Sequence, residues 1–111
     1  MLKRYGECCA FSGIQPPQVL EAAHLYSYAT RAEHLRDGGL LLRRDYHALF
    51  DAKLIAVNPT SLQIEIAPRL FDYSSYRKLD GLTLQVEADK RPSLDLLAEH
   101  YDKAIRHFAH N

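Results

Sequence analysis

Cysteine is nearly absent from this sequence, no apolar run approaches the length that crosses a bilayer, and neither sign of charge is in excess. Each absence excludes something. The two cysteines, Cys8 and Cys9, are chain neighbours whose Cα atoms stand about 3.8 Å apart, too close for an ordinary disulfide. They are expected as buried thiols, and a structural zinc held by two cysteine pairs is not expected. A spanning helix needs about 20 apolar residues, and Met1-Leu2-Lys3-Arg4 is not followed by the apolar core of a signal peptide. The expectation is a cytoplasmic protein with no membrane partner. Lysine and arginine number 14 and so do aspartate and glutamate, a formal net charge of +0. Strong autonomous binding to a polyanion draws on excess positive charge, so a targeting domain or partner protein is expected to help. A local patch remains, because Arg31, Arg36, Arg43, Arg44 and Lys53 cluster between residues 31 and 53; a solvated mixed-charge surface is equally compatible with composition.

What is present describes an ordinary globular chain, 47% hydrophobic and 25% charged. At 111 residues it suits one domain spanning 1–111. There is no internal repeat and no low-complexity stretch. Phe11-Ser12-Gly13 and Gln15-Pro16-Pro17 predict a turn. Val19 to Leu25 predicts a strand, 26–37 a long loop, and the apolar run Leu40-Leu41-Leu42 a buried strand pairing with the first. A short helix is expected over Arg44 to Asp51. Leu54 to Val57 and Leu62 to Ile66 should form a hairpin around Asn58-Pro59-Thr60-Ser61. Arg69 to Lys78 is ambiguous, Leu82 to Val86 alternates as a strand, and Pro92-Ser93 opens a last helix with Ser93 as N-cap. Leu96, Leu97, Tyr101, Ala104, Ile105 and Phe108 form its expected buried face, with His100, His107 and His110 on the surface. The fold class is α+β.

The chemistry-bearing stretch runs from Cys9 to Val57. On the helix His47 and Asp51 lie four residues apart, so both leave from one face and can grip one ion. Hydrolysis of a phosphodiester needs positive charge where negative charge builds up, and a neutral imidazole to take a proton from the attacking water. His24, on the neighbouring strand, suits the second task. His34, beside Arg31 and Arg36, is expected to be solvated.

Together Ala22-Ala23-His24-Leu25, Gly39-Leu40-Leu41-Leu42-Arg43 and His47-Ala48-Leu49-Phe50-Asp51 resemble the HNH endonuclease family. The likeness reaches back to Cys9-Ala10-Phe11-Ser12-Gly13 and forward, more faintly, into the hairpin. It implies a ββα-metal core over about 8–57, with added strands and a C-terminal helix over 58–111. It also implies His24 as general base and His47 as metal ligand, with Asp51 as second helix ligand. Related domains carry an aspartate or histidine directly before the base, where this chain has Ala23. Glu21, two residues away on the same side of the strand, is expected to substitute as a ligand. The family's middle asparagine is replaced by Gly38, and Asp37 is expected to position the loop by accepting hydrogen bonds.

The implied function is metal-dependent hydrolysis of phosphodiester bonds in nucleic acid, DNA ahead of RNA. One divalent ion is expected, Mg²⁺ or Mn²⁺ first, with Zn²⁺ or Ni²⁺ also acceptable to imidazole. Arg36, Arg43 and Arg44 are the expected phosphate contacts. Two alternatives stand beside this: a non-catalytic, metal-stabilised binding module with an HNH-like fold, and a structural domain whose histidines do no chemistry.

Overall fold

Apolar residues of the sequence sort onto short antiparallel strand pairs and helices in a computed structural model, which describes residues 8–24, 39–86 and 92–109. Three two-stranded antiparallel sheets are present among the described residues. β1 (Cys8–Cys9) pairs with β2 (Gly13–Ile14), β3 (Leu20–His24) with β4 (Gly39–Arg43), and β5 (Ile55–Val57) with β6 (Ile64–Ile66). Helix α1 (Arg44–Asp51) follows β4 directly, α2 (Ser74–Arg77) is a single turn after the 3-10 segment Pro68–Asp72, and α3 (Leu94–Ala109) closes the described chain. This mixed arrangement agrees with the α+β expectation. Leu25, the loop over 26–37 with His34, Arg36 and Asp37, and Gly38 and His110 lie outside the described residues.

β4 explains its own composition. Leu40, Leu41 and Leu42 are all buried, so the strand is covered on both faces and needs no polar alternation. α1 inserts Tyr46 and Phe50, one turn apart, against Phe11, with ring centroids at 5.9 and 6.3 Å from the Phe11 ring. Leu40, Leu42, Ile55, Val57, Ile64 and Leu97 complete that core. Cys9 is fully buried and accepts the Arg43 N–H on its sulfur at 3.4 Å, tying β1 to the start of α1. Cys8 is only half-buried, and desolvation there raises its thiol pKa.

Three expectations are corrected. The alternating run over 82–86 forms no strand; it makes one isolated bridge, Thr83 opposite Gln63. Its backbone is divided between partners: Leu84 N–H donates to Leu62 O, whereas Gln85 N–H donates to Ala10 O. In α3, His100 is buried at 7% exposure while Ile105 is 38% exposed. The buried stripe runs through Leu96, Leu97, His100 and Ala104, so the imidazole takes an apolar position. There it stacks on Phe50 at 3.7 Å between centroids and 6° between planes. Its Nε2 lies 2.9 Å from the Phe50 carbonyl, to which it donates, and Nδ1 has no partner among the described residues. Ser93 caps α3 as expected, its hydroxyl accepting Leu96 N–H at 3.4 Å.

α1 ends in a Schellman motif: Leu54 N–H bonds Leu49 O at 2.9 Å and Lys53 N–H bonds Phe50 O at 3.0 Å. The residue in the left-handed position is Lys53, at φ 65, where glycine is the usual occupant. Lys53→Gly should therefore raise stability by about 0.5–1 kcal/mol, seen as a higher urea midpoint at unchanged slope. Burial of His100 pushes its pKa down to about 4 from 6.5, partly opposed by the bond to Phe50. Above 6.5 the ring is neutral in both states and stability is unaffected. As pH falls from 6.5 towards 4 only the unfolded chain takes the proton, so stability declines, by roughly 2 kcal/mol at pH 5. Urea unfolding at pH 7.5 and pH 5 should show that loss in wild type and not in His100→Phe.

Candidate active site

β3 and β4 hold a fixed register, with Glu21 opposite Leu42, Ala23 opposite Leu40 and His24 opposite Gly39. α1 leaves β4 without an intervening loop and packs back on β3. Because Tyr46 and Phe50 face the core, His47 and Asp51, each one residue further on and so 100° round the helix, face away from it. The continuous stretch from β4 into α1 thus carries the helix pair over the hairpin that ends in His24. The structure describes the backbone of His24 at the end of β3; its side chain lies outside the described part.

His47 lies between two carboxylates. Its Nδ1 is 2.8 Å from Glu21 Oε1 and its Nε2 is 3.1 Å from Asp51 Oδ2. His47 is mostly covered, Glu21 is 41% exposed and Asp51 is 61% exposed. The structure therefore brings Glu21, His47 and Asp51 together, but around the imidazole. The two nitrogens of the ring point in diverging directions, so a carboxylate on Nδ1 and one on Nε2 stand on opposite sides. Glu21, expected to share an ion with His47 and Asp51, sits instead at the other nitrogen. Among the described residues no three His, Cys, Asp or Glu side chains form a group able to hold a metal ion. The Nε2–Asp51 pair is nonetheless a fitting donor set in kind: one imidazole nitrogen and carboxylate oxygens, side by side on an open helix face. A neutral imidazole that donates Nδ1–H to Glu21 faces Asp51 with a lone pair, so His47 Nε2 and Asp51 are the groups that would hold a cation, which would offset their mutual repulsion.

The predicted phosphate-binding arginines divide. Arg43 is committed within the fold: its Nε and Nη2 donate to Asp45 at 2.7 and 2.8 Å, and its guanidinium lies 4.2 Å above the Tyr46 ring centroid. Asp45 also accepts from the Tyr76 hydroxyl at 3.0 Å. The hydrogen bonds from Arg43 hold the Asp45 carboxyl below its usual range despite some desolvation, and the same bond raises Arg43. Burial, then the Asp45 contact, raises Tyr76. Arg44 is 69% exposed and its Nε lies 3.3 Å from Glu21 Oε2. Arg36 and Asp37 lie outside the described residues. Asp45 and Tyr76 did not stand out in the sequence. Asp45 carries a local signal, an acid in the first turn of a helix beside a preceding arginine; Tyr76 joins from 31 residues away, with no local pattern to announce it.

No curated protein matches the chain. Residues 9–58 match the model of a family described as HNH endonuclease. That span begins at the buried sulfur of Cys9, takes in the β3–β4 hairpin and α1, and ends just past β5. Over residues 9–58 the chain thus carries a domain of the HNH family.

Proposed function

We propose that this chain is a metal-dependent endonuclease that hydrolyses phosphodiester bonds in nucleic acid, DNA ahead of RNA, from a ββα-metal site. The observation that carries the proposal is the His47–Asp51 pair, 3.1 Å apart on the outward face of α1, over the strand that ends in His24 and inside the family match. HNH nucleases generally work with a divalent ion. His47 Nε2 and Asp51 would hold it, with Mg²⁺ or Mn²⁺ as the working ion. When bound, the ion supplies positive charge to the phosphoryl and departing oxygens as negative charge builds up on them.

The chain's own residues do the rest. His24 accepts the proton of the attacking water. Arg44, exposed on the first turn of α1, meets a phosphate of the backbone, with Arg36 as a further contact, and Asp37 holds the loop between the two strands. Arg43 supports Asp45 and Tyr46 and is not assigned to substrate. With zero net charge, productive binding depends on local charge or on a targeting partner, and the site of action is the cytoplasm. A second proposal is favoured by Ala23 standing where related domains carry a ligand: a metal-stabilised binding module that does not cut.

Incubation with supercoiled plasmid and Mg²⁺ or Mn²⁺ separates the two. His24→Ala should lower nicking by about 10²–10⁴-fold while calorimetric Mn²⁺ affinity is kept, and His47→Ala should abolish both. Equal nicking by wild type and His24→Ala removes His24 from the mechanism. Metal binding by a wild type that cuts neither DNA nor RNA replaces the nuclease with the binding module.

A further inference from the structure

We propose that Glu21 is a positioning residue for His47: by accepting the Nδ1–H it turns the ring's other nitrogen into a lone-pair donor aimed at Asp51. The proposal rests on the nuclease reading of the same site.

The argument is geometric. A neutral imidazole has one N–H and one lone pair, and both nitrogens of His47 face carboxylate oxygens, at 2.8 Å on the Glu21 side and 3.1 Å on the Asp51 side. Only one of these contacts can be a hydrogen bond from a neutral ring. The shorter, on the less exposed of the two carboxylates, is the better bond. With the proton there, Nε2 and Asp51 Oδ2 are two acceptors side by side, an arrangement that repels in isolation and attracts a cation. Glu21 is itself held. It belongs to β3, paired opposite Leu42, and its second oxygen lies 3.3 Å from Arg44 Nε. A carboxylate fixed on one side by a guanidinium and on the other by an imidazole sets both ring orientation and tautomer, the role that outer carboxylates play behind metal-bound histidines. Glu21 cannot at the same time be a ligand beside Nε2, because it occupies the opposite edge of the ring.

The test is a nitrogen-15 spectrum of the histidine side chains in the full chain at pH 8, with His47 assigned by its loss in His47→Gln. Zn²⁺ calorimetry accompanies it. Wild type free of metal should show His47 protonated at Nδ1 and bare at Nε2, and Zn²⁺ should shift Nε2 while the Nδ1 proton persists. E21A should move the ring towards the Nε2–H tautomer and weaken Zn²⁺ by about 10–100-fold. E21Q, whose amide oxygen still accepts, should retain much of the Nδ1–H form and most of the affinity. A structural role alone would lower the stability of both variants without separating their tautomers. The proposal is overturned if metal-free wild type carries the Nε2 proton, if Zn²⁺ removes the Nδ1 proton, or if E21A leaves the tautomer unchanged. Should E21A not fold, wild type and E21Q decide. Should wild type bind no Zn²⁺, the nuclease reading fails, and the metal-free tautomer still decides the role of Glu21.

Discussion

The insertion of Tyr46 and Phe50 beside Phe11 is the constraint on which the rest of the site depends. Two aromatic side chains one turn apart leave an eight-residue helix no freedom to rotate, since any rotation would expose large apolar rings. The helix is too short to be stable by itself in water. Its hold comes from that aromatic contact and from the covalent continuity with β4, itself buried on both faces. Given this anchoring, the outward placement of His47 and Asp51 is a consequence of helical geometry. So is the approach of His47 to Glu21 on the adjacent strand.

Much of this architecture was legible because it follows from local periods. The apolar run at Leu40 to Leu42, the i, i+4 pair on the helix and the alternation in Leu62 to Ile66 each state their structure within a few residues. The failures share another cause. Thr83 pairs briefly with Gln63 before Gln85 turns to Ala10, a division of hydrogen bonds that no alternation within 82–86 could reveal. Residue type suggests a surface position for His100, but its spacing from Leu96, Leu97 and Ala104 puts it on the buried stripe, where period outweighs polarity. In the site, the type and order of Glu21, His47 and Asp51 could be taken from the sequence. Which edge of the imidazole each carboxylate meets could not, because that depends on how α1 is rotated over β3.

Charge follows the same division. A chain with no net charge must decide locally which cations remain available to an anion, and composition is silent on this. Two adjacent arginines at the start of α1 are treated differently by the fold. Arg43 gives both arms of its guanidinium to Asp45 and its face to Tyr46, so its charge is balanced inside the structure. Arg44 makes a single longer contact to Glu21 and is largely open to solvent. The difference arises at the junction of strand and helix: Arg43 ends β4 with an extended backbone and its guanidinium lies against the Tyr46 ring, whereas Arg44 opens α1 and meets Glu21 of β3.

The remaining misfits gather at one place. Asp51 is an acid in the last turn of a helix, where the backbone dipole disfavours negative charge, and it stands against a histidine already engaged by another carboxylate. The same helix terminus carries Lys53 in a left-handed conformation and offers the Phe50 carbonyl to the buried His100. A sequence selected for stability alone would place a cation and a glycine there. Local rules that fail together, next to a rigidly anchored helix, are expected where a site has been built at the expense of the fold. A bound cation would reverse the sign of the largest of these conflicts, making the Asp51 carboxylate and the Nε2 lone pair favourable to each other.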